Sequence, residues 1–165
     1  MAGFAIGKKL NLGVVGGLTR QIDNLIIALP NVGSAAIAFG APVVRATDGC
    51  ELWKSNSAYA DFLGIALRIV KTNETYAQND AEYVEGDTVD ILTRGGVAVE
   101  CVKDTTATAS PAPGGAVYIR KATGVFVAAA EGAAGADTIQ LTNAVWASGL
   151  DANGLAEITL LTRKA

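Results

Sequence analysis

The sequence predicts an all-β, single-domain fold: a β-sandwich, jelly roll or small barrel carrying an extended N-terminal arm. Three observations predict it. Apolar and polar residues alternate with a period of two over short runs, turn residues recur between those runs, and no stretch holds an apolar face at helical spacing. The clearest alternation lies in YVEGDTVDILTRGGVAVECV, residues 83–102, where Val89, Ile91 and Thr93 fall on one face and Thr88, Asp90 and Leu92 on the other. Beyond Arg94-Gly95-Gly96 the pattern resumes with Val97, Val99 and Cys101. A glycine pair between two alternating runs predicts a β-hairpin that turns there. At 165 residues the chain is long enough to bury roughly 70% of its unfolded surface without metals or cross-links.

The elements follow in order. Residues 1–22 contain Gly3, Gly7, Gly13, Gly16 and Gly17 and keep no sustained period, which predicts an arm that orders only against something else, ahead of a β domain over 23–165. From Asn24 the chain reads as strand after short strand: LIIAL, SAAIAFG, PVVRA closed by an Asp48-Gly49 turn, then ELWKS. Residues 26–44 carry no charge, a length that would cross a bilayer. Pro30, Asn31, Gly33, Gly40 and Pro42 interrupt it too often for a membrane helix, and two short buried strands around a turn are expected instead. In DFLGIALRIV, residues 61–70, Gly64 and the β-branched Ile65, Ile69 and Val70 favour strand over helix.

Residues 103–115, KDTTATASPAPGG, are a low-complexity surface connection. AVYIRKATGVFVAA predicts a second hairpin turning at Ala122-Thr123-Gly124, and the chain closes with DTIQL, NAVWAS, a DANG turn at 151–154 and LAEITLLTR. The tally is about eight to ten short strands, and no period of about 20–50 residues marks a solenoid.

Composition narrows the chemistry. The absence of histidine removes the commonest general base and the commonest transition-metal ligand. Cys50 and Cys101 have no paired metal-site spacing and no secretion signal accompanies them, so they read as reduced, buried thiols. GFAIGKK lacks the glycine spacing and the Ser or Thr of a phosphate loop. A hydrolytic carboxylate pair could be assembled from Glu82, Glu85, Asp87 and Asp90, but surface and turn acids are far commoner. Trp53 and Trp146 sit in short strands and read as core. No catalytic, metal-binding or cofactor-binding residue is expected.

A net charge of −3 and a pI near 4.9 argue against nucleic acid, whose binders carry a basic stripe. The charge is uneven: Lys8, Lys9 and Arg20 precede the first acid, Asp23, whereas Glu74, Asp80, Glu82, Glu85, Asp87 and Asp90 crowd the middle. A cationic arm and an acidic body of this kind can pair between subunits. With 18% charged residues and a mean hydropathy of +0.33, the chain is less charged than the roughly 25% of ordinary soluble domains, which suggests an apolar surface that meets a partner.

The succession FAIGKKLNLG, IAFGAPVV, FLGIALRIVK, YVEGDTVDILTRGGVAVE, GGAVYIRKATG, DTIQLTNAVW and AEITLLTR resembles the head cement, or decoration, proteins of tailed bacteriophages over most of the chain. The resemblance implies a non-enzymatic virion protein that binds the outer surface of the expanded icosahedral head, reached in the host cytoplasm during assembly. Its implied partners are the major capsid protein and further copies of itself, as a homo-trimer or homo-dimer, with neither nucleic acid nor membrane. On this reading the arm docks through Leu10, Leu12, Val14 and Val15, while Lys8, Lys9 and Arg20 pair with acids on the shell. The competing reading is a carbohydrate- or receptor-binding sandwich of a fibre or spike, which needs an exposed aromatic platform that 6% aromatic residues supply poorly.

Overall fold

The computed structural model describes residues 12–69, 82–101 and 109–162. Among them run β1 (Leu18–Pro30), β2 (Ile37–Ala38), β3 (Pro42–Ala46), β4 (Gly49–Leu52), β5 (Phe62–Ala66), β6 (Glu82–Tyr83), β7 (Thr88–Glu100), β8 (Ala116–Arg120), β9 (Phe126–Val127), β10 (Thr138–Trp146) and β11 (Leu155–Leu160). Two single 3₁₀ turns, Tyr59–Asp61 and Ala133–Gly135, are the only helical pieces among the described residues. The sheet is antiparallel and curls into a half-barrel, as the all-β expectation requires.

Strand order is β4-β3-β5-β7-β11-β10-β8-β9, with β1 also on β7; β2 and β6 form a separate pair. The expected hairpins at Asp48-Gly49 and at 122–124 are present as β3–β4 and β8–β9. The hairpin expected at Arg94-Gly95-Gly96 is not. Thr88–Glu100 is one continuous strand. At Leu92 it pairs with Ile26 of β1 and Ile65 of β5, and at Val97 with Leu18 of β1 and Ile158 of β11. β1 therefore follows one edge of β7 while β5 and then β11 share the other. Pairing with β1 from Thr88 to Val97 spans the glycines and holds both halves in one strand.

The glycines bend β7 instead of reversing it. Gly95 adopts φ +121, and a Cβ there would collide with the Asn24 side chain. Opposite it β1 bulges, with Arg20 paired to Gly96 and Leu25 to Arg94. Such an irregularity switches the face that each parity presents. Val89 and Ile91 point into one core, with Ile37, Phe39, Val43, Leu63 and Tyr83. Past the bend, the same parity at Val97, Val99 and Cys101 points into a second core with Trp53, Phe126, Leu141, Trp146 and Ile158. Adjacent Val43 and Val44 likewise enter different cores, so the layer containing β3, β5 and the first half of β7 is buried on both faces.

Two isolated bridges tie the ends of the curled sheet. Asn31 at the end of β1 meets Cys50 of β4, and Cys101 at the end of β7 meets Phe126 of β9. Asn31 is almost wholly buried. Its Nδ2 donates to the Ala35 and Tyr83 carbonyls at 3.1 and 3.2 Å, and its Oδ1 accepts the Gly33 amide at 3.1 Å.

DTIQL and NAVWAS, read separately in the sequence, belong to the single strand β10, which slips register between Leu141 and Val145. SAAIAFG contributes only Ile37–Ala38. β1 runs through residues 22 and 23, where the sequence divides arm from domain.

Candidate interaction surface

Of the residues expected to dock, Lys8, Lys9 and Leu10 lie outside the described residues, and Arg20 is described only by its backbone, opposite Gly96. The others, Leu12, Val14 and Val15, lie in the segment that leads into β1. The Leu12 amide donates to Asp151 Oδ2 at 3.0 Å, and Asp151 Oδ1 accepts the Asn153 and Leu155 amides of its own turn. The DANG turn thus fixes the backbone at Leu12.

Val14 exposes 48% of its surface, and its carbonyl accepts the Gly17 amide at 3.0 Å to form a tight turn. Val15 is half-buried and covers Gly40, where any Cβ would collide with Val15 Cγ1. Val14 and Val15 therefore play different parts: one faces outward, and the other seats the stretch on the domain. Thr19 Oγ1 then donates to the buried Glu157 carboxylate at 2.6 Å.

The apolar surface of β1 has no counterpart among the expected docking residues. Leu18, Leu25 and Ile26 expose 40–42% of their surface, alongside Val14, Val32, Val84 and Leu161. Ile27 and Leu29 of the same strand pack against the first core. The run LIIAL alone cannot show that one of its faces is open; the missing signal is its place at an edge.

The ionisable groups in the interior favour a scaffold. Burial, assisted by the Glu51 carboxylate, pushes the Cys50 thiol up to about 11, and burial alone does the same to Cys101. Burial is also the main cause that takes Tyr83 up to about 12; its hydroxyl donates to the Leu67 carbonyl at 2.7 Å. Both thiols are free, and thiols held protonated in this way are weak nucleophiles. Trp53 and Trp146 lie in the second core, so neither supplies an exposed aromatic platform.

On the surface Arg120 forks onto Glu131 at 2.7 and 2.8 Å. Arg94 pairs with Asp23, which holds the left-handed backbone of the β1 bulge at φ +73.

A family model described as structural cement protein (E217 gp24/Pam3 gp6) matches residues 4–161. A solved structure described as the capsid of Myoviridae phage XM1 has a similar fold: TM-score 0.72 at 13% identity, covering 99% of this chain and 99% of that one. No curated protein matches in sequence. With the family model spanning nearly the whole chain, the chain belongs to the structural cement protein family of phages.

Proposed function

We propose that this capsid cement protein acts on the outer surface of the expanded icosahedral head, where it clamps adjacent capsomers through its N-terminal stretch. The single observation that carries the reading is the family match over residues 4–161; the geometry of residues 12–17 supports the role of the arm. Leu12 and Val15 anchor the stretch to the domain while Val14 faces solvent, so the segment before residue 12 starts from a fixed point. Lys8 and Lys9 in that segment supply positive charge for acidic positions on the shell, and Leu10 supplies an apolar anchor. Many copies of a modest contact across a closed lattice give high avidity, because each bound copy holds its other contacts at high effective concentration. The partners are the major capsid protein and other copies of this chain, and assembly takes place in the host cytoplasm.

Co-sedimentation with undecorated expanded heads tests the arm. Removing residues 2–11 reduces the amount bound by at least tenfold at subsaturating protein, and Lys8→Glu with Lys9→Glu makes the residual binding rise with salt. Undiminished binding by the truncated chain rejects the arm as the docking element and leaves the domain surface to carry it.

A further inference from the structure

We propose that Asn153-Gly154 is a self-modification site, where loss of ammonia and conversion to isoaspartate release the hold of the DANG turn on Leu12. It is the one Asn-Gly pair in the sequence. Asn153 is exposed, and a Cβ at Gly154 would meet nothing within 4 Å. The Gly154 amide nitrogen can therefore be approached by its neighbour's side chain without a substituent in the way. Its hydrogen bond to the Asp151 carbonyl is 3.3 Å long, beyond the roughly 2.7–3.2 Å of ordinary amide bonds, and holds it weakly. The other described asparagines lack this combination. Asn31 and Asn143 are buried, Asn24 precedes Leu25, and Asn56, although exposed, precedes Ser57.

Hydroxide removes the Gly154 amide proton, and the nitrogen attacks Asn153 Cγ. The N–Cγ bond forms as the Cγ–Nδ2 bond breaks, and Nδ2 takes a proton from solvent and leaves as ammonia. Water then opens the cyclic imide at either carbonyl. Attack at Cγ gives aspartate with the main chain unchanged; attack at the α-carbonyl gives isoaspartate, whose backbone runs through Cβ and Cγ and is one methylene longer. That extra length falls where the turn makes its contacts. The Gly154 carbonyl accepts the Cys101 amide at 3.1 Å at the end of β7, and the Leu155 amide donates to Asp151 Oδ1 at 2.9 Å. Displacing Gly154 and Leu155 turns away the Asp151 carboxylate, whose Oδ2 holds the Leu12 amide at 3.0 Å. Gly16, bonded to Ala98 and Arg68, stays in place, so the release is confined to the start of the segment that leads into β1.

The test is incubation of the folded full chain in mildly alkaline buffer made with heavy-oxygen water, followed by peptide mapping and by amide exchange at Leu12. Asn153 is expected to become a labelled mixture of aspartate and isoaspartate, roughly tenfold faster than Asn56, whose neighbour carries a side chain, and faster at higher pH. In the purified isoaspartate fraction the Leu12 amide exchanges roughly tenfold faster than in the fresh chain, the mark of a local opening. Asn153→Asp, which adds the charge without the methylene, keeps Leu12 protected, and Asn153→Ser forms no product at this turn. Conversion at Asn56 ahead of Asn153, aspartate without isoaspartate, or an isoaspartate form in which Leu12 is as protected as before overturns the proposal. None of these readouts involves phage heads, so the result stands apart from the cement reading.

Discussion

Gly16 and Ala98 join the two halves of the bent central strand. The Gly16 amide donates to the Ala98 carbonyl at 2.8 Å, and the Ala98 amide returns a bond to the Gly17 carbonyl at 2.9 Å. On its other side the Gly16 carbonyl accepts the Arg68 amide at 2.8 Å, next to Leu67, which donates to Asp90. Asp90 and Ala98 belong to the same strand, so the path through residues 67, 68 and 16 closes a ring around the bend. Gly16 and Gly17, which the sequence places in an extended arm, form a backbone strap.

Gly16 has little room for a side chain. It holds φ +73, and a Cβ would lie 2.9 Å from the Arg68 and Gly40 amide nitrogens. Gly16→Ala is expected to cost about 2–3 kcal/mol, combining the left-handed backbone with displacement of two packed amides. Gly13 holds φ +96 with nothing within 4 Å, and Gly13→Ala is expected to cost about 1 kcal/mol. Urea unfolding of the two variants checks the difference; equal losses would mean that the strap is not packed against Arg68 and Gly40.

Asn31 offers a second test, because one buried side chain satisfies Gly33, Ala35 and Tyr83. Asn31→Ala strands those groups and is expected to lower stability by about 2–4 kcal/mol. Asn31→Asp keeps the acceptor for Gly33 but sets a carboxylate against two carbonyls, and a comparable loss is expected. Thermal unfolding, at roughly 2–4 °C per kcal/mol for a chain of this size, reads both. An Asp variant as stable as wild type would show that the two carbonyl bonds contribute nothing.

Alkaline pH provides a third. Cys50 and Cys101 hold their protons to about 11 in the folded chain, against 9.0 ordinarily. Between these values the unfolded chain releases protons that the folded chain keeps, so stability is complete below pH 9 and falls as pH rises towards 11. Tyr83, raised from 10.0 to about 12, extends the decline in the same direction. The expected profile is flat from neutrality to about pH 8.5 and then descending, with both thiols slow to alkylate until the chain unfolds. Fast alkylation of the native chain near neutral pH would contradict the burial of the thiols.

Much of this fold is legible in the residues, and the exceptions have physical causes. Period-two alternation reports which side chains share a face, and it groups Val89 with Ile91 and Val97 with Val99 correctly, but it implies one buried face where β7 is buried on both. It cannot separate a reversing turn from a bend, since Gly95 at φ +121 suits either; contact with β1, distant in sequence, decides between them. Val14 through Gly17 enter the fold mainly through backbone hydrogen bonds, which leave no mark on side-chain pattern. The exposure of Leu25 and Ile26 is equally hidden, because LIIAL reads the same at the centre of a sheet as at its edge. Of the expected docking residues, the structure gives side-chain settings for Leu12, Val14 and Val15, and one of these, Val15, turns inward to cover Gly40.

Cementing of an icosahedral shell from outside is tested most directly by imaging. Undecorated expanded heads mixed with the purified protein are examined by electron cryomicroscopy, and the expected result is added density at fixed lattice positions on the outer surface, bridging neighbouring capsomers. Bare heads at saturating protein, or density confined to the interior, would contradict it.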